Sequence, residues 1–268
     1  ILNEKPLPER QKLNVPENTE ISLNDVSFWY EEGVKAIDHI SMTIKPGTVT
    51  ALVGESGGGK STVANLIARF WDVSDGSVTV GGVDVRDLDY SDLMKHISVV
   101  FQDTNLFKMS VAENVAMYKP DASRKEILEA LQQARCEDIL EKLPNGMDSV
   151  IGAKGVYLSG GEMQRIALAR AILKDAPIVL LDEATAFADA ENEYLIQKAL
   201  DVLLKGKTVL MIAHRLQTIV HADQIIVLQK GRIVEQGTHE ALMQQQGVYA
   251  GMYHEYERSV SWRIGGQS

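Results

Sequence analysis

Gly54-Glu55-Ser56-Gly57-Gly58-Gly59-Lys60-Ser61 spaces its glycines, lysine and hydroxyl as G-x-x-x-x-G-K-[ST], with Thr62 directly after. Glycines let successive backbone N–H groups line a concavity, and a helix starting there turns its positive end toward an anion. Lys60 can then reach β- and γ-phosphates, while the Ser61 hydroxyl suits Mg²⁺. A flexible glycine turn is the bland alternative, and the bare pattern arises by chance in roughly one chain of this size in a hundred. The context makes the phosphate-binding loop the better reading, because a buried strand precedes it and an apolar helical stripe follows.

Two further constellations support phosphate chemistry. The run IVLLD (178–182) sets Asp182 at the carboxyl end of a buried strand, where ligands of open α/β sheets sit, so its carboxylate suits the Mg²⁺ shell. Glu183 comes next and is placed to polarise an attacking water. Buried strands also stop at acidic turn residues for structural reasons alone; the phosphate loop upstream favours the chemical reading. Leu158-Ser159-Gly160-Gly161-Glu162 opens another helix with two glycines expected to be exposed, a second anion site. One phosphate loop already cradles one nucleotide, so this second site suits a γ-phosphate brought by another subunit, which predicts a dimer. A capped helix start without a ligand is the alternative.

The elements that must hold these residues are legible as periods. Thr48 to Val53 reads as a buried strand, and Val63, Leu66, Ile67 and Phe70 follow at helical spacing. Ser123 with Glu126 forms a capping box, and Ile127, Leu131 and Ala134 continue that helix. Residues 104–173 are mainly helical. IVLLD, a helix through Leu195, Ala199 and Leu203, TVLMIAH (208–214), IIVL (225–228) and RIVEQG (232–237) then alternate, which implies a mostly parallel sheet. Residues 1–18 hold three of the seven prolines and read as a linker, so the folded domain is placed at 19–255; residues 256–268 read as a loosely held tail.

Composition narrows the partners. Thirty-seven acidic against 27 basic side chains give a net charge of −10, and no basic run can track a polyphosphate backbone, so nucleic acid is excluded as the main ligand. The single cysteine, Cys136, cannot close an intrachain disulfide, so a cytosolic setting is the default. The longest apolar run is five residues, Val209 to Ala213, far short of the roughly 20 a membrane helix needs. The chain starts at Ile1 and reads as a piece of a longer polypeptide.

In their order and spacing, Gly54 to Ser61, Gln102, Leu158 to Glu162, Asp182-Glu183, Asp189 and His214 resemble the nucleotide-binding domain of an ABC transporter, over nearly all of residues 19–255. The resemblance implies an α/β fold: a P-loop (RecA-like), mostly parallel sheet flanked by helices, with an antiparallel β subdomain and an inserted helical subdomain. It implies an ATPase using ATP and Mg²⁺, with Lys60, Gln102, Glu183 and His214 catalytic and Ser61, Gln102 and Asp182 at the metal. Nucleotide contacts would come from Tyr30 stacking on adenine, from Gly54 to Thr62, from Ser159, Gly160, Gly161 and Glu162, and from Asp189 crossing to the partner. An aromatic in a β-rich start also suits a core, and Trp29 could stack instead.

The same resemblance implies two nucleotide-binding domains, identical or sister chains, closing on two ATP molecules. It also implies a transmembrane domain fused upstream, docked near Asp103 to Tyr118 at the cytoplasmic face of the cell membrane. The segment looks like part of a half-transporter with exporter architecture, with a weaker similarity to bacterial siderophore-uptake members. Export of lipid, drug or peptide is the alternative, and a soluble ABC ATPase or non-hydrolysing regulatory module is the alternative of another class. Three places depart from the family's usual pattern: Ala186-Phe187-Ala188-Asp189 where S-A-L-D is usual, Glu162 where Gln is usual, and Ile151-Gly152-Ala153-Lys154-Gly155 where V-G-E-R-G is usual. They bear on coupling and dimer symmetry rather than on hydrolysis.

Overall fold

The computed structural model describes residues 16–31, 33–101, 106–152, 157–182, 190–213 and 215–265; for 190, 191 and 259–265 it describes the backbone alone. In chain order the elements begin with β1 (Ile21–Glu31), β2 (Val34–Ile44), β3 (Val49–Val53), α1 (Lys60–Ile67), β4 (Asp75–Val80), β5 (Val83–Asp84), α2 (Tyr90–His96) and β6 (Ile97–Val100). They continue with α3 (Val111–Val115), α4 (Arg124–Gln133), α5 (Glu137–Lys142), α6 (Gly160–Lys174), β7 (Ile178–Asp182) and α7 (Ala190–Leu204). The chain closes with β8 (Thr208–Ile212), β9 (Gln224–Gln229), β10 (Arg232–Gly237), α8 (His239–Gln245) and α9 (Val248–Gly265). Two compact units result: Ile1–Leu93 with Thr208–Ser268, and Met94–Lys207.

In the first unit β2, β1, β4 and β5 form an antiparallel sheet in that order, with Ile21 opposite Ile44 on one side and Val80 on the other. Ile21, Leu23, Val26 and Phe28 are all buried, although strict alternation would turn Val26 outward. The register shifts between Leu23 and Val26, where Asp25 has φ 49°, and this bulge resets the alternation. The kink also requires Gly76, because a Cβ there would stand 2.4 Å from the Asp25 carbonyl oxygen.

The unit's other strands explain the unbroken apolar runs. β3 lies between β8 and β9, parallel to both, and β10 pairs antiparallel with β9. Strands covered on both faces need continuous rather than alternating hydrophobicity. Ala51, Val53, Ile225 and Val227 pack into one cluster with Leu242 of α8 and Tyr249 of α9, while Val63, Leu66 and Ile67 form the buried stripe of α1. α9 continues to Gly265, so its backbone is helical through most of the segment that composition alone reads as a loose tail.

In the second unit β6 and β7 pair in parallel, Ile97 with Ile178 through Val100 with Leu181. Helices α3 to α6, joined by turns, lie within or next to the described part of residues 104–173, and α3, α4 and α7 pack on α6. Among the described residues, three helices of this unit start with the same device, a serine and a glutamate three residues on that cap each other's backbone N–H: Ser110 with Glu113, Ser123 with Glu126, and Ser159 with Glu162. Among the described residues no helix is long and apolar enough to cross a membrane.

Candidate nucleotide site

At the end of β3 the chain turns through Gly54 (φ 142°), Gly57 (φ 76°) and Gly59 (φ 101°) before α1 begins at Lys60. Two of these positions admit no side chain. A Cβ on Gly54 would lie 2.0 Å from the Leu228 carbonyl oxygen, and one on Gly59 would lie 2.8 Å from that of Ala36. Gly57 is different: a Cβ added there would meet nothing within 4 Å, so the loop is open at that point. The Gly58 N–H donates to the Glu55 carbonyl at 3.1 Å, which closes the turn.

Lys60 is buried, and its ammonium donates to the carbonyls of Gly54 and Glu55 at 2.8 and 2.9 Å. A cation is therefore held on the loop itself at a helix N-terminus, an arrangement suited to anions. Ser61 is exposed beside it, as are Glu55 and Ser56.

Tyr30 belongs to the same unit. Its ring meets Phe28 edge-on at 4.8 Å and Trp71 edge-on at 5.4 Å, yet the residue is 50% exposed, whereas Trp29 is half-buried. Its hydroxyl lies 3.1 Å from Thr62 Oγ1, so this aromatic is tied to the helix that begins at the phosphate loop. Thr62 is buried, and its hydroxyl serves Tyr30 within the protein. Trp71 completes the aromatic cluster; no local spacing marks it.

The start of α6 corrects one expectation. Gly160 is exposed, but Gly161 is buried, because α7 packs against it: a Cβ there would stand 2.7 Å from Asn192 Cβ. Ser159 is the N-cap, its hydroxyl accepting from the Glu162 N–H at 3.2 Å. Glu162 accepts the Ser159 N–H at 2.8 Å on one oxygen and the Lys142 ammonium at 3.0 Å on the other. Burial alone would push the Glu162 carboxyl up, but the Ser159 N–H and Lys142 outweigh it and hold it below the usual carboxylate value. Lys142 in turn is raised by that contact. Lys142, on α5, is a residue that motif spacing could not find.

Deeper along α6, Arg165 is buried and donates to both carboxylate oxygens of Asp138, at 2.6 and 2.9 Å, and to the Arg135 carbonyl. Arg170 donates to the Asn114 carbonyl at 2.7 Å and to its side-chain oxygen at 3.2 Å. Asn114 is fully buried and also bonds the backbone of Phe107 through both its N–H and its C=O.

Asp182 closes β7, and its Oδ1 is buried without a hydrogen-bond partner among the described residues. Such an orphaned carboxylate oxygen suits a hard cation, so the donor chemistry fits Mg²⁺. Gln102, Glu183, Asp189 and His214 lie outside the described residues, as do Ala186 to Ala188 and Ala153 to Gly155.

The family model described as ABC transporter matches residues 37–186. The mycobactin import ATP-binding/permease protein IrtA of Mycolicibacterium thermoresistibile is 52% identical over 233 residues, 87% of this chain and 26% of that protein. The ATP-dependent lipid A-core flippase of Saccharophagus degradans is 46% identical over 94% of this chain and 43% of its own length. A solved bacterial Atm1-family ABC exporter with ATP bound superposes with a TM-score of 0.88 at 34% identity, covering 94% of this chain and 45% of the exporter chain. The chain thus spans from about a quarter to under half of the length of these relatives.

Proposed function

Because the chain belongs to the ABC transporter family, we propose that it binds and hydrolyses ATP to power a transporter, as one of two nucleotide-binding domains that close on ATP. The observation that carries this is the phosphate loop: a strand entering glycines at positive φ, a helix leaving them, and the Lys60 ammonium seated on the loop's own carbonyls. The exposed aromatic face of Tyr30, tethered to α1 through Thr62, supports an adenine platform.

In this reading Gly54 to Thr62 cradle the phosphates, with Lys60 neutralising β- and γ-oxygens. Ser61, Asp182 and Gln102 would hold Mg²⁺, whose charge, when bound, offsets that of the phosphate oxygens. Glu183 takes a proton from water as the water oxygen bonds the γ-phosphorus; the bond from phosphorus to the bridging oxygen breaks, its electron pair leaving on ADP, and inorganic phosphate is the other product. His214 and Gln102 orient the transferring group and the water. Ser159 and Gly160, at the start of α6, serve the γ-phosphate of the partner's nucleotide, and Asp189 reaches toward the partner's phosphate loop. Hydrolysis removes the tie, the pair opens, and a transmembrane domain fused upstream changes its access at the cytoplasmic face of the membrane.

For cargo, uptake of a siderophore is the first reading. Glu162 and the A-F-A-D loop support it, as do mycobactin import relatives at 49–52% identity. Export is the second, supported by the lipid A-core flippases at 46–47% and the Atm1-family exporter.

The decisive measurement is phosphate release by Glu183→Gln. ATP binding should persist while turnover falls by at least about a hundredfold, as for loss of a general base. Near-normal turnover would remove Glu183 from that role, and turnover absent from the parent protein would favour a non-hydrolysing module.

A further inference from the structure

A carboxylate three residues into α6 is an odd companion for a phosphate. Glu162 sits in the first turn of the helix whose N-terminus is proposed to receive the γ-phosphate, and like charges there oppose one another. The contacts of its two oxygens offer a resolution. Oε2 accepts the Ser159 N–H at 2.8 Å, and Oε1 accepts the Lys142 ammonium at 3.0 Å, so each oxygen is already engaged within the protein. The Glu162 side chain is only 13% exposed, while that of Lys142 is 66% exposed and reaches in from the last turn of α5.

We propose that Lys142 is a positioning residue for nucleotide binding: it neutralises Glu162 and holds it in the helix cap, so that the start of α6 presents N–H groups rather than net negative charge to the partner's γ-phosphate. The inference rests on the proposed nucleotide-bridged dimer. The surrounding charges agree with it. Lys142 also lies 3.8 Å from Asp138, and Asp138 is engaged by Arg165, so two acids and two bases balance beneath the helix start. The other two capping boxes of the unit serve as controls. Glu126 likewise has a lysine partner, Lys119, at 2.7 Å, whereas the Glu113 carboxylate is held by the Ser110 N–H and hydroxyl, so a cap of this kind does not itself demand a lysine. What distinguishes Glu162 is the anion expected next to it.

The test follows the ATP concentration that drives dimerisation of the Glu183→Gln protein, read by light scattering, in four backgrounds. Lys142→Met should raise the midpoint on the order of tenfold, as expected for an uncompensated charge beside a phosphate at a partly exposed site. Lys142→Arg should stay within about threefold of the parent, since the charge is kept. Glu162→Gln, which keeps the cap but not the charge, sets its own midpoint, and adding Lys142→Met to it should move that midpoint by no more than about threefold. A merely structural lysine would lower the melting temperature without moving the ATP midpoint of the protein that stays folded, so thermal melts of the four variants accompany the titration. An unchanged midpoint in Lys142→Met, or a shift as large when it is added to Glu162→Gln, overturns the inference while the dimer stands. If the parent itself never doubles in mass with ATP and Mg²⁺, the dimer falls and this inference with it.

Discussion

At the scale of single residues, the phosphate loop separates glycines that are needed for space from one needed only for backbone freedom. Gly54→Ala drives a Cβ to 2.0 Å from the Leu228 carbonyl oxygen, backbone that cannot swing aside. It should cost at least about 3 kcal/mol in unfolding free energy and abolish ATP binding. Gly57→Ala meets nothing within 4 Å and carries only the strain of φ 76°, so about 1 kcal/mol is expected. Denaturant melts of the two variants decide it: equal losses would mean that Gly54 has no packing role. The sequence motif makes these glycines visible as a group, because covalent spacing carries the pattern. It does not rank them, since the ranking depends on β9 and β2, which approach the loop from far along the chain. The same limit hides Lys142, which meets Glu162 from another helix, and makes Gly161 look exposed when Asn192 covers it.

At the scale of elements, helix starts in the second unit lean on paired caps, and these are sensitive to acid. Glu126 on α4 is held down to about 2 by the Lys119 ammonium, then by the Ser123 N–H and hydroxyl. A carboxyl lowered on folding contributes stability that is complete above its ordinary value of 4.5 and fades as pH falls from there toward 2. Urea midpoints followed from about pH 5 down to about pH 2.5 should therefore fall less steeply in Glu126→Gln than in the parent; parallel slopes would show that the cap does not titrate. This helix is readable from Ser123 and Glu126 because both cap partners are local. The bulge at Asp25 is not, for its residues look like any strand and only the pairing of β1 with β2 and β4 shows the extra residue. Nor is the continuation of α9, where low apolar content hides a helix whose anchor lies earlier.

At the scale of the molecule, association with a second copy should be visible as mass. With ATP and Mg²⁺, Glu183→Gln should double in light scattering, and adding Ser159→Arg should keep it monomeric. That substitution removes the N-cap hydroxyl of α6 and sets a bulky cation at the proposed interface, so a thermal melt must accompany it to show that the fold survives the loss of about 1 kcal/mol expected for a cap. An equally dimeric Arg variant would reject the head-to-tail sandwich. The far end of the chain offers a practical route to such measurements. The Glu235 carboxylate accepts the Val248 and Tyr249 N–H groups, Tyr249 is fully buried, and its hydroxyl meets His239 at 2.9 Å. One carboxylate thus clasps the root of α9 to β10, while on the turns beyond Tyr253 the side chains of His254, Glu255, Glu257 and Arg258 are exposed. Fluorophores or affinity handles belong on those distal turns, where they report on the assembly without loosening it; a cut upstream of Val248 would unplug the aromatic stopper and spoil the instrument.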